Sequence, residues 1–494
     1  MRMNAAEILL AGGDDAGIAL VCADASRRRG ELRIDVARGA AVWRARGLSR
    51  GERVAIKLAD GIDWVVAYLS VIWAGGVAVG VNPRVPADEW QAILAAADFR
   101  FILSQEAEDA TTAPGSELVD LVDWRNELAS AAPVVPRAME GDEPALWVHS
   151  SGTSGKPKAV VHAHRMAYEI ARVGQERLGI RAGDRLYASS KLFFSYPLAN
   201  SVFTGLRLGA TVILDSGWPN ARDVAAIAMR QRPDVLFSVP SLYRNLLKEG
   251  LATQLANCGV RRYVSAGEAL PANLRDEWQR QTGCTIVDGY GASETLVLVL
   301  VDTGEGGGLQ VAPGFDVQPL GGPRASAPGR VLIKGPTVAL GYWGRPAAQA
   351  EHFVADGFSP SDLFDAIDAA RWRFAGRDDS LVKVHGRWVD LVELEQRIAV
   401  ACPWLADAAA VAVADEDGVE AVALFYVAVA NAPPVDAAAL RQHAERLQPH
   451  QRPRWLHAVE ALPRTATGKL MRRRLRDLHA MLATQPTAAN HDRL

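Results

Sequence analysis

The sequence predicts an α/β protein with a large N-terminal domain of helix-covered, largely parallel sheets and a small mobile α+β C-terminal domain. Helical patterns alternate with short apolar runs over about the first 300 residues, which favours parallel strands covered by helices. A chain of 494 residues is also too long for a single core. We therefore expect an N-terminal domain over residues 1–378, with a β-rich subdomain over about 303–378, and a C-terminal domain over residues 379–494.

The elements follow from hydrophobic periodicity and from turn residues, taken in chain order. In the N-terminal domain the patterns predict helices over residues 33–46, 64–73, 88–96, 167–178, 202–207 and 222–230. They predict strands over residues 53–57, 77–81, 145–148, 185–189, 211–214, 235–238 and 285–287. Glycine, proline and short β-like pieces such as 331–333 then replace the alternation. The C-terminal domain is expected to hold strands 381–384, 408–413 and 422–427 and helices 392–401 and 437–447.

One uncharged run, residues 64–81, is long enough to raise the question of a membrane span. The pair Gly75-Gly76 interrupts it and Asn82-Pro83 ends it. A helix, a glycine turn and a buried strand explain the run better. We interpret it as core and expect no membrane span.

Composition excludes several classes of function. The net charge of −3 provides no global field for nucleic acid or for an acidic membrane surface. The four cysteines are widely scattered, which argues against a disulfide framework or a zinc site and fits the reducing cytoplasm. The N-terminus has no secretory pattern. We expect a cytoplasmic protein; the sequence leaves its oligomeric state open, with a homodimer among the alternatives.

The most informative segment, residues 149–159, reads His-Ser-Ser-Gly-Thr-Ser-Gly-Lys-Pro-Lys-Ala and follows an apolar strand. Glycines allow close backbone approach, while hydroxyls, exposed N–H groups and cations suit phosphate oxygens. It is not the standard P-loop, because Pro157 follows the lysine where Ser or Thr is needed. The alternative is a surface turn of small polar residues. The expected phosphate-binding residues are Ser150, Ser151, Gly152, Thr153, Ser154, Gly155 and Lys156.

A second motif, residues 288–295, reads Asp-Gly-Tyr-Gly-Ala-Ser-Glu-Thr after the apolar strand 285–287. The carboxylate of Glu294 is a hard oxygen ligand of the kind that Mg²⁺ prefers beside substrate phosphates. Ser293 offers a hydroxyl to a phosphate, and Tyr290 offers a flat face to a purine. The alternative is a strand-to-helix turn with the glutamate in solvent.

These segments, together with residues 265–271, 359–379 and 463–470, resemble the motifs of the adenylate-forming superfamily in their order and spacing. That superfamily comprises acyl- and aryl-CoA synthetases, luciferase-like enzymes and adenylation domains. The sequence departs from the pattern at Ala159, at Ser293 and at Ser359-Pro-Ser361. The resemblance implies ATP, Mg²⁺ and coenzyme A. The further nucleotide- or CoA-binding residues that it implies are Gly267, Glu268, Asp288, Tyr290, Gly291, Asp362, Arg377 and Gly386.

The resemblance also implies three roles in catalysis. Lys469 would guide the acid carboxylate toward the α-phosphate, where two anions must approach each other. Glu294 would hold the metal and Ser293 a phosphate. Asp379 would be the hinge between two catalytic arrangements, and Gly386 would then face the pantetheine arm of CoA.

The segment 191–200, Lys-Leu-Phe-Phe-Ser-Tyr-Pro-Leu-Ala-Asn, is most similar to the benzoate-CoA ligase branch. There it walls a small aromatic pocket, so Tyr196 would stack near the ring and Ser195 would meet a ring substituent. The alternative is an aromatic core strand. Pro197 replaces a glycine, and Val297 stands where that branch tends to carry a histidine. The substrate residues implied are Ser195, Tyr196, Ala266, Gly291 and Val297.

The expected function is an ATP-dependent aryl-CoA ligase that forms an aryl-AMP from a small aromatic carboxylic acid and then a thioester with CoA. Two alternatives remain open at this point. One is a stand-alone adenylation enzyme that loads the phosphopantetheine thiol of a carrier protein. The other is an adenylate-binding protein without activity, suggested by Ala159 and by Ser359-Pro-Ser361.

Overall fold

The fold is described by a computed structural model for residues 2–105, 114–150, 157–302, 304, 307–321, 328–368, 370–377, 381–384, 387–402, 404–415, 419–428, 437–464, 470–483 and 492–493. The chain forms two compact units. The first comprises residues 1–360 and 365–374, and the second comprises residues 361–364 and 375–494. The domain boundary between residues 378 and 379 and the hinge role of Asp379, which lies outside the described residues, stay predictions.

A seven-stranded sheet lies in the first unit. Its strands, in spatial order, are Gly341–Tyr342, Lys158–Ala163, Pro144–Ser150, Val77–Gly80, Arg53–Lys57, Phe99–Ser104 and Glu117–Asp120. Neighbours from the third strand onward are parallel, and the first two strands pair antiparallel. The central strands read as continuous apolar runs because helices cover both faces of a parallel sheet.

A larger sheet in the same unit has a parallel centre. Its parallel strands, in spatial order, are Ile286–Tyr290, Arg262–Ser265, Val235–Ser238, Arg185–Ala188, Thr211–Leu214 and Ile18–Cys22. The hairpin strand Ala25–Arg28 borders one side, and the antiparallel strands Leu300–Asp302, Leu309–Val311 and Arg371–Arg377 border the other. The carboxyl ends of parallel strands meet at one edge, where ligand sites of α/β sheets form.

Helices cover these sheets. Those of the first unit are Ala5–Leu9, Arg29–Ala45, Ile62–Ala74, Ala87–Ala97, Leu121–Ser130, Met166–Glu169, Arg172–Glu176, Ser195–Pro197, Thr204–Leu208, Ala221–Gln231, Pro240–Lys248, Ala252–Ala256, Ala272–Thr282 and Pro346–His352. The helix Ile62–Ala74 is apolar all round and buried from Trp64 to Ala74, as the core interpretation predicts. Gly75 ends it with a φ of 87°, a left-handed conformation that favours glycine. None of the described helices is long and apolar enough to cross a membrane.

Two predicted helices differ from the structure. The helix expected over 167–178 is two short pieces, and the Ile170 carbonyl between them lies 3.3 Å from the Thr204 hydroxyl. The helix expected over 202–207 is Thr204–Leu208, preceded by a π-helix over Leu198–Phe203. The same hydroxyl donates to the Ala199 carbonyl five residues earlier (2.8 Å) and supports the wider turn. Such turns occur frequently at functional sites.

The β-rich region of the first unit contains Asp316–Pro319 and Gly329–Lys334, which pair antiparallel, and the short strands Phe353–Val354 and Gly357–Phe358. The second unit has a four-stranded sheet ordered Leu405–Ala414, Glu420–Ala428, Pro453–Ala458 and Asp492–Arg493, a hairpin Leu381–Val384 with Arg387–Asp390, and helices Leu391–Ala401, Ala437–Ala444 and Arg472–Ala483. Its core packs the helix residues Leu391, Leu394 and Ile398 against this sheet. The predicted α/β fold class is confirmed.

Candidate active site

The predicted phosphate loop connects two paired strands. Ser150 ends one strand and pairs with Lys158 on the next, and His149 pairs with Ala159 in the same antiparallel ladder. Ala159 is buried within an apolar cluster, so its methyl group is accommodated where the family has glycine. Residues 151–156, which include Ser151, Gly152, Thr153, Ser154, Gly155 and Lys156, lie outside the described residues. The two ends of the loop are therefore held together by regular sheet hydrogen bonds.

A single tyrosine joins this loop stem to the second motif. The Tyr342 hydroxyl donates to Oε1 of Glu294 at 2.6 Å, and the Lys158 ammonium lies 5.1 Å from the centroid of the Tyr342 ring. Burial, together with the neighbouring carboxylate, raises the pKa of Tyr342, so its phenol keeps the proton that it donates. Lys158, a cation at the loop stem, thus contacts the ring of the same tyrosine whose hydroxyl binds the carboxylate predicted to meet Mg²⁺.

The backbone of the second motif is fixed by three side-chain or main-chain donors. Nε2 of His162 donates to the Ser293 carbonyl at 2.8 Å. Burial lowers the pKa of His162 to about 4, so the ring is neutral near pH 7 and carries this proton on Nε2. The Ala339 N–H donates to the Glu294 carbonyl at 2.8 Å, and the Thr337 hydroxyl donates to the Thr295 carbonyl at 2.6 Å. The segment is neither a solvated turn nor followed by a helix, so the alternative interpretation of this motif is wrong.

The surroundings of Glu294 fit a magnesium ion held mainly by substrate. Its side chain makes one hydrogen bond among the described residues and uses only Oε1 for it. Over the same part of the chain, no cluster of three or more His, Cys, Asp or Glu side chains could hold a metal ion. Mg²⁺ characteristically uses one or two carboxylates together with phosphate oxygens and water. One carboxylate with a spare oxygen meets that requirement.

The strand before Glu294 runs further than predicted. It covers Ile286–Tyr290, so Asp288 lies within the strand and not after it. The Asp288 carboxylate pairs with Arg275 at 3.6 Å, and Arg275 also binds Asp302 at 2.8 Å. Burial raises the pKa of Asp288 to about 7, against the opposing effect of Arg275.

Tyr290 and Gly291, at the end of this strand, affect how closely a ligand can approach the backbone. The Tyr290 ring stacks on Phe374, with centroids 6.4 Å apart. A Cβ on Gly291 would lie 2.6 Å from the Val297 carbonyl oxygen, so only glycine fits there. The Tyr290 ring is thus held beside Gly291, where the backbone passes very close to the backbone of Val297.

The neighbouring strand carries the motif 265–271. Ser265 and Ala266 are buried at its carboxyl end, and Ser265 aligns with Asp288 on the next strand. Gly267 follows with a φ of 86°, where a side chain would be strained, and Glu268 is exposed. The chain therefore turns sharply at the edge of the sheet where the predicted nucleotide residues gather.

The predicted aryl-acid segment is helical and not a core strand. Ser195 begins the turn Ser195–Pro197, and the Tyr196 hydroxyl donates to the Val264 carbonyl at 3.1 Å. The Tyr196 ring meets Phe237 edge-on, and Val297 is buried in the apolar core. Tyr196 is consequently held by the sheet that carries the second motif.

The remaining candidates belong to the second unit. Arg377 donates to the Asp362 carboxylate at 2.9 Å, each at the end of a strand, so neither is a solvated loop charge. Asp379, Gly386 and Lys469 lie outside the described residues. Leu470, which follows Lys469, forms a β-bridge with Arg464.

Sequence reasoning missed several residues that organise these sites. Tyr342 joins Glu294 to the loop stem, and the buried ion pair of Asp60 with Lys191 lies at the start of the aryl-acid segment. Gly341-Tyr-Trp-Gly344 is a conspicuous aromatic pair between glycines, the one signal that could have singled out Tyr342. A sequence pattern cannot show that Asp60 meets Lys191, because 131 positions separate them.

Comparison with known proteins shows the family of the chain. Residues 17–343 match the AMP-binding enzyme family, and residues 393–469 match the AMP-binding enzyme C-terminal domain. The chain is 36% identical to a 3-hydroxybenzoate–CoA/4-hydroxybenzoate–CoA ligase of Thauera aromatica, over 96% of this chain and 97% of that protein. It is 31% identical to a benzoate–CoA ligase of the same organism, over 90% of each.

Solved structures show the same fold. A benzoate CoA ligase from Burkholderia xenovorans LB400 matches with a TM-score of 0.84 and 28% identity, over 96% of this chain and 100% of that one. An anthranilate CoA ligase in complex with anthranoyl-AMP matches with a TM-score of 0.88 and 24% identity, over 98% of both chains. Both similarities extend over nearly the whole chain.

Proposed function

Because the chain belongs to the AMP-binding enzyme family, as its motifs predicted, we propose that it is an AMP-forming aryl-CoA ligase. In the first step a carboxylate oxygen of an aromatic acid attacks the α-phosphorus of ATP, and pyrophosphate leaves. In the second step the CoA thiolate attacks the carbonyl carbon of the aryl-AMP, and AMP leaves. The relatives' names support an acid of benzoate size, and their near-complete coverage supports the two-step scheme.

The observation that carries the proposal is the arrangement of Glu294, Tyr342 and Lys158. It sets a carboxylate and a cation at the stem of the loop whose composition suits phosphate oxygens. Adenylation is largely a matter of positioning and of charge neutralisation. Mg²⁺, when bound by Glu294 and by phosphate oxygens, would offset the negative charge of the triphosphate.

The roles of several residues rest on their motifs alone. Within the proposal, Ser150 to Lys156 and Ser293 bind phosphate oxygens, and Asp362 with Arg377 binds ribose. Lys469 guides the acid in the first step, Asp379 acts as the hinge, and Gly386 faces the pantetheine arm in the second.

The acid pocket is proposed to include Ser195, Tyr196, Ala266, Gly291 and Val297. Val297 offers no hydrogen bond to a ring substituent. Because its side chain is buried, it selects between acids by their shape. We therefore propose that the acid is recognised there mainly by the apolar faces of its ring. A cytoplasmic site of action remains part of the proposal.

The experiment is acid-dependent exchange of pyrophosphate into ATP with a panel of substituted benzoates, cinnamates and short alkyl acids. Exchange with benzoate-sized acids is expected, and its absence across the panel contradicts the proposal. The acceptor is tested by supplying free CoA or a holo-carrier protein after aryl-AMP has formed. Release of aryl-CoA is expected; turnover with the carrier protein alone would favour the adenylation enzyme that loads a carrier.

A further inference from the structure

Tyr342 lies where the loop stem and the second motif meet, and neither step of the proposed reaction uses its hydroxyl group directly. Its hydroxyl donates to Oε1 of Glu294 at 2.6 Å, and only 8% of each residue is exposed. Oε2 of Glu294 has no hydrogen-bond partner among the described residues. A buried hydrogen bond to one carboxylate oxygen restrains the side chain and leaves the other oxygen for a ligand.

The tyrosine is itself held firmly. Its backbone N–H donates to Oε1 of Gln349 at 2.8 Å, and the next residue, Trp343, donates its N–H to the Ala159 carbonyl at 3.0 Å. Gly341 has a φ of 143°, and a Cβ there would lie 2.0 Å from the same oxygen of Gln349. The glycine therefore makes room for the bond that fixes Tyr342.

Its ring is fixed as well. Phe353 meets the ring edge-on at 5.2 Å between centroids, and the Lys158 ammonium lies 5.1 Å from the ring centroid. Tyr342 thus presents its hydroxyl from a rigid position, and it touches both the residue proposed to hold the metal and the stem of the phosphate loop.

We propose that Tyr342 is the positioning residue for magnesium: its hydroxyl holds Oε1 of Glu294 so that Oε2 is available to a magnesium–nucleotide complex. The inference rests on the proposed ATP- and Mg²⁺-dependent function. Without the hydroxyl, Glu294 regains rotational freedom, and ordering it becomes part of the cost of binding the metal. The loss appears in the coupling between Mg²⁺ and ATP, more than in the binding of ATP alone.

The test measures ATP binding by calorimetry on the full chain without acid, with and without Mg²⁺. We define the Mg²⁺ coupling as the dissociation constant of ATP without Mg²⁺ divided by the dissociation constant with Mg²⁺. Tyr342→Phe is expected to reduce this ratio about 10-fold, the effect of one hydrogen bond to a charged group. Tyr263→Phe is the matched control, because the Tyr263 hydroxyl is buried without a hydrogen-bond partner among the described residues. It should leave the coupling unchanged.

Two further variants separate positioning from a structural role. Glu294→Gln should abolish the coupling, and adding Tyr342→Phe to it should cost nothing more, since both act on one ligand. Tyr342→His, whose ring N–H can donate, should recover part of the coupling and serves in place of Tyr342→Phe if that variant does not fold.

An unchanged coupling in folded Tyr342→Phe overturns the inference, as does an equal loss of ATP binding with and without Mg²⁺. If Tyr342→Phe folds, a coupling in Tyr342→His as low as in Tyr342→Phe also counts against the inference. If Tyr342→Phe does not fold, a coupling in Tyr342→His as high as in the wild type counts against it. Failure of the proposed function would look different: the wild type itself would bind no ATP or show no acid-dependent exchange.

Discussion

The ammonium group of Lys191 lies 3.5 Å from the carboxylate of Asp60, and both side chains are buried. Lys191 also donates to the Asp215 carbonyl at 2.7 Å, and Asp60 accepts the Leu192 N–H at 3.1 Å. The pair therefore anchors the chain where the proposed aryl-acid segment begins. Buried ion pairs contribute little net stability, because the desolvation of two charges offsets their attraction. The effect of the Asp60–Lys191 pair on stability and its effect on substrate binding can be tested separately.

Stability should depend on pH through Asp60. Burial raises the pKa of Asp60 to about 6, against the opposing effect of Lys191. The folded protein then holds this proton more tightly than the unfolded chain, whose aspartate pKa is about 4. The protonated carboxyl stabilises the fold at low pH, and this contribution is lost as the pH rises to 6. Asp60→Asn resembles the protonated form and does not titrate.

We expect the stability of Asp60→Asn relative to the wild type to increase between pH 4 and 6. The difference in free energy of unfolding between the variant and the wild type should change by no more than about 1.4 kcal/mol per pH unit, which is the limit for the titration of one proton. Urea unfolding at a series of pH values measures it. Asp63→Asn breaks an exposed pair with Arg125 and should change stability by less than about 1 kcal/mol. A stability difference that stays constant between pH 4 and 6 would contradict the raised pKa of Asp60.

Substrate binding should depend on Lys191. Lys191→Met leaves the Asp60 carboxylate buried without its cation and the Asp215 carbonyl without its donor. We expect a loss of stability of about 3 kcal/mol at pH 8 and a KM for the acid raised about 10-fold in pyrophosphate exchange. Lys248→Met, at an exposed helical position, is the control. An unchanged KM in the folded variant would separate this pair from the acid pocket.

Sequence reasoning identified chemistry better than geometry. The parallel sheets follow from local composition, because apolar runs and turn residues act within a few residues, and the predictions for the phosphate loop and Glu294 rest on the same kind of local signal. The strand 235–238 was predicted to its exact ends for the same reason. The π-helix at Leu198–Phe203 was not, because it depends on hydrogen bonds of Thr204 and on packing against other segments.

Long-range pairs were invisible for a related reason. Arg275, which binds Asp288 and Asp302, comes from a helix whose exposed face looks like any solvated surface. The resemblance implied that Asp288 binds the nucleotide, which stays a prediction, and no local pattern indicated that Arg275 lies beside it. Pairing across the sheet is decided by topology, which no local pattern encodes.

A second buried pair organises the second unit. Nη2 of Arg472 donates to both carboxylate oxygens of Glu395, at 2.7 and 2.9 Å, and Glu395 also accepts the Ala410 N–H at 2.7 Å. Glu395→Gln keeps one acceptor oxygen but places an amide N–H₂ in the position of the other, whereas Glu395→Ala removes both acceptors. We expect the alanine variant to lose about 3 kcal/mol of stability, and the glutamine variant to lose less at pH 8.

The second expectation follows from charge. Burial raises the pKa of Glu395 to about 7, so ionising this carboxyl costs more in the folded state than in the unfolded chain, and the wild type carries that cost at pH 8. Denaturant unfolding followed in both variants checks the prediction. Glu393, two residues earlier on the same helix, forms an exposed pair with Arg397, and its alanine variant should stay within about 0.5 kcal/mol of the wild type. Equal losses in the two Glu395 variants would assign the effect to the charge and not to the acceptors.

The proposed role of Lys469 makes the two half-reactions separable. Lys469→Ala should reduce acid-dependent pyrophosphate exchange by orders of magnitude, because the lysine offsets repulsion between the carboxylate and the α-phosphate. Thioester formation from supplied aryl-AMP takes place at the carbonyl carbon and not at the α-phosphorus, and within the proposal Gly386 serves that step in place of Lys469, so it should be spared. Arg474→Ala removes one positive charge from an exposed position nearby and should leave both half-reactions unchanged. An equal loss in the two half-reactions of Lys469→Ala would assign the lysine to binding of the adenylate itself, and the guiding role would be rejected.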